Sequence, residues 1–125
     1  MFNSILAISL GASVGAILRW SLGLLLDSMS VAISIGTIAA NLIGGYLIGI
    51  AIAFFSMHTE LSPQWRLLVI TGFLGGLTTF SSFSAEVTGM IQQGQLGTAL
   101  TTVMIHVIGS LVMTFLGIYT YQLFK

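Results

Sequence analysis

Cysteine is absent from this sequence and charged residues are nearly so, which removes several classes of protein from consideration. Without cysteine there is no disulfide and no thiolate metal ligand. Only three Lys or Arg and three Asp or Glu occur in 125 residues, whereas 56% of the residues are hydrophobic. So few charges cannot cover the surface of a soluble domain or form the basic surface that binds a nucleic acid. The composition therefore predicts an integral membrane protein that does not bind nucleic acid.

Four long apolar segments occupy nearly the whole chain. A membrane-spanning helix needs about 20 mostly apolar residues, so a chain of this length has room for four spans and the turns between them. We predict an all-α membrane protein with a single transmembrane domain over residues 1–125 and no separate catalytic domain. The predicted spans cover about residues 5–26, 36–55, 67–91 and 99–123. Small residues at 11–13 resemble a signal-peptide cleavage site, but no Lys or Arg precedes them, so we expect the first span to be retained.

Small and polar residues divide these segments. The first span is followed by a polar turn from Asp27 to Ser30, and the second span is so rich in glycine and alanine that we predict an interface helix. Ser62 and Pro63 have the pattern of an N-cap and first helical residue for the third segment. That segment contains several glycines followed by a run of hydroxyl residues. We predict that it is a broken helix, with the break at Gly75 and Gly76.

The few basic residues give little information about orientation. With four spans, both termini and the long loop lie on one side, which carries Arg66 and Lys125, whereas Arg19 lies toward the other side. The positive-inside rule therefore has little bias to act on. We predict dual topology, in which copies insert both ways and pair as an antiparallel homodimer. The alternative is a single orientation set by Arg66 and Lys125.

Three polar side chains lie at membrane depth, where they are costly and each has two interpretations. Arg19 either extends its guanidinium to the interface or attracts anions into a vestibule. Asn41 either makes a hydrogen bond between helices or lines a pore. Glu86 lies at a depth similar to that of Arg19, so it either pairs with Arg19 or faces a water-filled vestibule.

The fourth span has polar residues at every fourth position, which places them on one face of a helix: Thr102, His106, Ser110 and Thr114. A single Ser or Thr in a span usually bonds back to its own helix. Because four polar positions are in register here, we favour a pore-lining face.

Two phenylalanines alternate with serines after the predicted break. Phe80 and Phe83 share a face if this part is helical, and Ser81 and Ser84 lie beside them. One interpretation is core packing. The other is that the electropositive ring edges face an anion while the hydroxyls donate hydrogen bonds to it. No pattern for nucleophilic, metal or phosphate chemistry accompanies these residues, so we do not expect an enzyme.

Three stretches of the chain resemble the Fluc (CrcB) family of bacterial fluoride channels. They are GASVGAILR at 11–19, GTIAANLIG at 36–44 and GFLGGLTTFSSFSAE at 72–86, of which the third is the most specific. The resemblance extends over nearly the whole length. The chain departs from the family at Leu74, where relatives often have cysteine, and at Ser82, where threonine is frequent.

The resemblance implies a dual-topology homodimer with two antiparallel pores that let fluoride leave the cytoplasm passively across the bacterial inner membrane. It also implies a structural sodium ion held at the dimer interface by backbone carbonyls, here those of Gly75 and Thr78. It places Arg19 and Glu86 at a vestibule, where Glu86 corresponds to the family's acidic residue. The implied pore residues are Asn41, Phe80 and Phe83, with Ser110 and Thr114 on a polar track and His106 at its entrance.

Two other functions fit a chain of this size. A small four-helix proton-coupled multidrug transporter needs an exchangeable carboxylate in its first span, where this chain has Arg19 and no acid. The chain could also be a purely structural membrane subunit. In that case, the polar stripe and the glycine-rich break would serve only helix packing. We expect fluoride, sodium, the lipid bilayer and a second copy of the chain as partners.

Overall fold

The computed structural model describes residues 1–29 and 33–125, and this part of the chain is helical throughout apart from short turns. We number the α-helices in chain order. They are α1 (Phe2–Leu26), α2 (Ile35–Met57), α3 (Pro63–Arg66), α4 (Gly75–Leu77), α5 (Phe80–Gln92) and α6 (Leu96–Phe124). A wider π-helical stretch, Leu67–Leu74, joins α3 to α4, and a single 3₁₀ turn, Asp27–Met29, follows α1.

The prediction of four spans is confirmed. Within the described residues, four helical segments are long and apolar enough to cross a membrane: Phe2–Leu26, Ile35–Met57, Pro63–Gln92 and Leu96–Phe124. The first span ends at Leu26 as predicted, and the other bounds extend one to four residues beyond the predicted ones. Ser34 and Ser62 cap the starts of the second and third spans. Ser62 caps α3, and Pro63 begins it, as predicted. The predicted polar turn forms at Asp27–Met29, while its last residue, Ser30, lies outside the described residues.

The third span is broken, as predicted, but the predicted position of the break was wrong. Gly75 and Gly76 are helical, and the chain becomes extended only at Thr78 (φ −84°, ψ 156°) and Thr79 (φ −149°, ψ 120°). The glycines serve packing instead. A Cβ atom on Gly72 would lie 2.8 Å from the Ile8 carbonyl oxygen, so the glycine lets α1 approach the first half of the third span.

Helices α2 and α6 form the second close pair, which agrees with the prediction that the second span is an interface helix. A Cβ atom on Gly45 would lie 2.9 Å from the Ser110 carbonyl oxygen. The Tyr46 hydroxyl donates to Thr120 Oγ1 at 2.9 Å. Since lipid tails are as apolar as the side chains, close backbone contact and hydrogen bonds between helices must supply much of the association energy.

Candidate functional site

The break in the third span is held by a side chain from another helix, Asn41 of α2. The Thr79 N–H donates to Asn41 Oδ1 at 2.7 Å, and Asn41 Nδ2 donates to the Thr79 carbonyl at 3.0 Å. Because an N–H can only donate and a carbonyl can only accept, these two bonds fix the orientation of the amide. The Asn41 amide therefore pairs with the N–H and carbonyl of Thr79, as a neighbouring strand would. It stabilises extended backbone at membrane depth, where no water is present to bond to these groups.

The same break deprives the backbone carbonyls of residues 75–78 of their usual helical donors, and those of Gly75 and Thr78 are among them. In a continuous helix the Thr79 N–H would bond to the Gly75 carbonyl and the Ser82 N–H to the Thr78 carbonyl. Instead, the Thr79 N–H donates to Asn41, and the Ser82 N–H donates to Thr79 Oγ1 at 3.1 Å. The chain thus supplies two oxygen ligands of the kind that unwound transporter helices offer to sodium.

No cluster of acidic or histidine side chains competes with these carbonyls for a metal. Within residues 1–29 and 33–125, no group of three or more His, Cys, Asp or Glu side chains is close enough to hold an ion. A sodium ion here would therefore be held by backbone oxygens, and the donor set at Gly75 and Thr78 fits such an ion.

His106 of α6 completes the network around Asn41 and offers an unused donor. The second Nδ2 hydrogen of Asn41 points to His106 Nδ1 at a distance of 3.0 Å, so Nδ1 must accept and the neutral ring carries its proton on Nε2. His106 is only 4% exposed, and its Nε2 has no hydrogen-bond partner in the described part of the chain. A buried N–H without an acceptor is a candidate contact for an anion.

Aromatic rings lie directly beside this network. The Phe83 ring packs on the His106 ring with centroids 4.5 Å apart, and it meets the Phe80 ring edge to face at 5.4 Å. Phe83 is 8% exposed, whereas Phe80 is 77% exposed. The sequence-based expectation that the two rings share a face is therefore met, and one of them projects from the surface of the single chain.

These groups line an open groove of about 550 Å³ along the side of the helix bundle. Eight of the twelve candidate site residues line it: Asn41, Gly75, Thr78, Phe80, Phe83, His106, Ser110 and Thr114. They come from α2, α4, α5 and α6, and from the extended residue Thr78 between α4 and α5. A groove that combines amide, imidazole and hydroxyl groups with ring edges has the chemistry to contact a small anion.

The polar stripe of α6 is only partly directed to this groove. Thr102 is fully buried and donates to the Thr98 carbonyl at 2.9 Å. The Thr114 hydroxyl lies 2.9 Å from the Gly45 carbonyl and 3.0 Å from the Ser110 carbonyl. Its single proton is therefore engaged by backbone, which is the structural interpretation of an intramembrane Thr. His106 and Ser110 remain as the central part of the stripe.

Arg19 and Glu86 take different partners rather than forming an ion pair with each other. Arg19 Nε donates to the Gly76 carbonyl at 3.2 Å, so the guanidinium is held beside the end of α4. Glu86 Oε2 lies 2.9 Å from Thr37 Oγ1, and Glu86 lines a separate pocket of about 340 Å³ together with Ser34 and other residues. Both groups flank the groove without lining it.

The remaining two candidates, Ser81 and Ser84, are exposed on α5 and do not line the groove. Conversely, Thr79 lines the groove, although its position in the sequence did not predict a role for it. A local signal was present, because the Thr79 side chain caps α5 by accepting from the Ser82 N–H, and Thr is a common N-cap residue. The reciprocal bonds to Asn41 join residues 38 positions apart, and no local pattern reveals them.

The chain is similar to characterised sequences over its full length. Residues 6–118 match the family described as "CrcB-like protein, Camphor Resistance (CrcB)". A relative from Tolumonas auensis named "Fluoride-specific ion channel FluC" is 61% identical over 125 residues, which are 100% of this chain and 98% of the relative. Proteins of the same name from Polynucleobacter asymbioticus and Chromobacterium violaceum are 58% and 57% identical, covering 100% and 98% of this chain and 100% and 97% of the relatives.

Proposed function

Because this chain belongs to the CrcB-like family of membrane proteins, we propose that it is a fluoride-selective ion channel. The observation that carries the proposal is the groove at the break of the third span. There, Asn41, His106 and two phenylalanine rings meet within a chain whose relatives are named fluoride-specific channels. Fluoride is small and strongly hydrated, so a narrow path must replace its water with fixed donors. His106 Nε2–H, hydroxyl groups and the ring edges of Phe80 and Phe83 supply such contacts.

We infer that the working unit is an antiparallel homodimer with two pores. In the single chain, the groove is open on one side and Phe80 is 77% exposed, so the few polar groups within its mostly apolar lining would be accessible from lipid. A second copy of the chain would cover the groove, so that its polar groups would contact protein instead of hydrocarbon. The antiparallel arrangement is supported by the three basic residues, whose distribution gives the chain almost no preferred orientation.

The proposed channel contains a structural sodium ion at the break. The Gly75 and Thr78 carbonyls would hold it. The N–H groups that would bond to them in a continuous helix, those of Thr79 and Ser82, donate to Asn41 Oδ1 and Thr79 Oγ1 instead. When bound, such an ion supplies positive charge and fixes extended backbone. Asn41 fixes the same backbone through its two bonds to Thr79.

Export by this channel needs no coupling to another gradient. Hydrogen fluoride crosses membranes as a neutral acid and ionises in the cytoplasm, and the inside-negative potential then drives the anion outward through a passive pore. In the bacterial inner membrane, this lowers cytoplasmic fluoride. The rival multidrug transporter is disfavoured because α1 contains no Asp or Glu, and Asp27 after it is bound to the start of α2.

Flux measurements on reconstituted protein separate these two functions. We expect purified protein in vesicles without a proton gradient to release fluoride only when a potassium ionophore compensates the charge, because the pore conducts the bare anion. No exchange of a lipophilic cation for protons is expected. Proton-driven drug exchange without fluoride release would overturn the proposal, and protein-free vesicles are the control.

The absence of cysteine allows a direct test of dual topology. A single Glu60→Cys substitution places a thiol in the exposed loop between α2 and α3. With inside and outside equally populated, about half of the thiols in intact cells should react with a membrane-impermeant reagent, and the rest only after permeabilisation. Labelling of nearly all or nearly none in intact cells would show a single orientation. Ser56→Cys, in the last turn of α2, is a second exposed position on the same side.

A further inference from the structure

Four polar side chains form a continuous hydrogen-bonded chain at one end of the helix bundle. Ser34 Oγ lies 2.9 Å from Asp27 Oδ1, Ser34 Oγ lies 2.9 Å from Thr37 Oγ1, and Thr37 Oγ1 lies 2.9 Å from Glu86 Oε2. The chain therefore connects a carboxyl group in the turn after α1 to the carboxyl group of α5. The proposed channel function gives no role in conduction to Glu86 or to Asp27.

The hydrogen bonds that connect these four side chains need one more proton than the hydroxyl groups of Ser34 and Thr37 contain. Each of the three oxygen–oxygen contacts requires a hydrogen between the two atoms. Ser34 and Thr37 contribute one hydroxyl hydrogen each, and an ionised carboxylate contributes none. If both carboxyl groups were ionised, the two hydroxyls would donate outward and leave the contact between Ser34 and Thr37 without a hydrogen. A proton on one carboxyl group would supply the third and complete the hydrogen-bonded chain.

The surroundings of the two acids decide which one carries the proton. Asp27 is exposed, accepts from the Gly36 N–H at 2.8 Å and lies at the N-terminus of α2, where a negative charge is favoured. Glu86 is half-buried within a span, and its second oxygen, Oε1, is buried without a hydrogen-bond partner among the described residues. An ionised carboxylate with an unpaired buried oxygen is much more costly than a neutral acid.

We propose that Glu86 carries the shared proton and donates it to Thr37, that Thr37 donates to Ser34, and that Ser34 donates to an ionised Asp27. Asp27 is then a positioning residue, which acts on Glu86 through two hydroxyl groups. The pair bears one negative charge instead of two. For an anion channel, whose role here rests on the proposed function, this leaves a neutral group where a carboxylate would repel the anion.

Other ionisable groups on the surrounding helices have their own partners. Arg19 of α1 donates to the Gly76 carbonyl, and His106 of α6 is bonded to Asn41. Helix α2 contains no Asp, Glu, His, Lys or Arg, and α5 contains only Glu86. Among the ionisable side chains on these described helices, Asp27 is the one that a hydrogen-bonded path connects to Glu86.

The protonation can be observed without any measurement of transport, because the protein has only two glutamates, Glu60 and Glu86. Protein labelled with ¹³C at the glutamate side-chain carboxyls should give two carboxyl signals in lipid vesicles at neutral pH. We expect the signal that remains in Glu60→Gln to be that of a protonated acid. A carboxylate signal from Glu86 at neutral pH would overturn the proposal, whether or not the protein conducts fluoride.

The role of Asp27 is tested by the pH profile of fluoride efflux. We expect efflux by the wild-type protein to fall about tenfold at alkaline pH, as the shared proton is lost and a second negative charge forms near the anion path. In Asp27→Asn, the fall should begin at lower pH, because no neighbouring charge then opposes ionisation of Glu86. Glu60→Gln removes a charge at the opposite end of the bundle and should keep the wild-type profile. An identical profile for Asp27→Asn and wild type would contradict the coupling.

Two substitutions of Thr37, in the middle of the hydrogen-bonded side chains, control for a loss of folding at the start of α2. Thr37→Ser retains the hydroxyl and should keep the wild-type pH profile, whereas Thr37→Val retains the shape, removes the hydroxyl and should alter the profile. If both variants behave like the wild type, the hydroxyl chain does not connect Asp27 to Glu86.

Discussion

Replacing Asn41 with alanine is expected to lower fluoride efflux by at least ~100-fold and to destabilise the folded protein. The substitution removes the partners of the Thr79 N–H, the Thr79 carbonyl and His106 Nδ1, all at membrane depth. Each buried polar group left unpaired costs about 1–3 kcal/mol, and about 2.7 kcal/mol corresponds to a hundredfold change in rate. Vesicle efflux and the thermal midpoint of the detergent-solubilised protein measure the two effects.

The chain offers a matched control for this prediction. Asn3 is the only other asparagine and lies exposed near the start of α1, so Asn3→Ala should leave both quantities unchanged. Asn41→Asp is the informative second variant. As a carboxylate it retains an acceptor for the Thr79 N–H but cannot donate and adds a negative charge. As a neutral acid it has one donor for the two acceptors, the Thr79 carbonyl and His106 Nδ1, so it should fail in either form. Wild-type efflux in either Asn41 variant would show that the amide does not maintain the break.

Replacing Phe80 with isoleucine should also lower fluoride efflux by roughly 100-fold, but without loss of the folded protein. The ring is 77% exposed in the single chain and meets Phe83 edge to face, so little intrachain packing depends on it. Isoleucine retains apolar bulk but has no quadrupole, and ring edges in a desolvated path are the contacts that it cannot replace. Phe83→Ile should have a similar effect on efflux, with an added packing cost because Phe83 is buried.

A phenylalanine of similar exposure provides the comparison. Phe115 of α6 is 72% exposed and does not line the groove, so Phe115→Ile should conduct like the wild type. Elution as a single species in size-exclusion chromatography establishes that each variant is folded. Unchanged efflux in well-folded Phe80→Ile and Phe83→Ile would remove the rings from the anion path.

The four spans and their approximate bounds could be predicted because hydrophobic length is a property of each segment alone. A run of about 20 apolar residues specifies a span regardless of what it contacts. The start of α3 was predictable for a similar reason, since an N-cap serine followed by proline is a local signal. Helix starts shifted by up to four residues, because a helix continues past its apolar part for as long as its backbone bonds are made, and hydropathy does not mark that point.

The exact position of the break was not predictable from the glycines. Gly72 and Gly76 permit close contact with α1, whereas the extended residues Thr78 and Thr79 are stabilised by Asn41 from another helix. Such a bond depends on which helices become neighbours. The same holds for the contact between Asn41 and His106, which are 65 residues apart.

The polar stripe of α6 illustrates the limit of periodicity. A spacing of four correctly predicts a common face for His106 and Ser110, both of which line the groove. Periodicity does not reveal where each hydroxyl hydrogen is directed, and those of Thr102 and Thr114 are engaged by backbone carbonyls. Similarly, Glu86 was predicted to pair with Arg19 or to face a vestibule, and its contact with Thr37 became visible only in the structure.

The most direct test of the proposed function compares two halides in the same vesicles. Purified protein is reconstituted with equal internal fluoride and chloride, and efflux of each is followed with ion-selective electrodes after addition of a potassium ionophore. A path whose donors and ring edges replace the water of a small anion predicts fluoride efflux at least ~100-fold faster than chloride efflux. Equal rates for the two ions, or no ionophore-dependent fluoride efflux from well-folded protein, would contradict it.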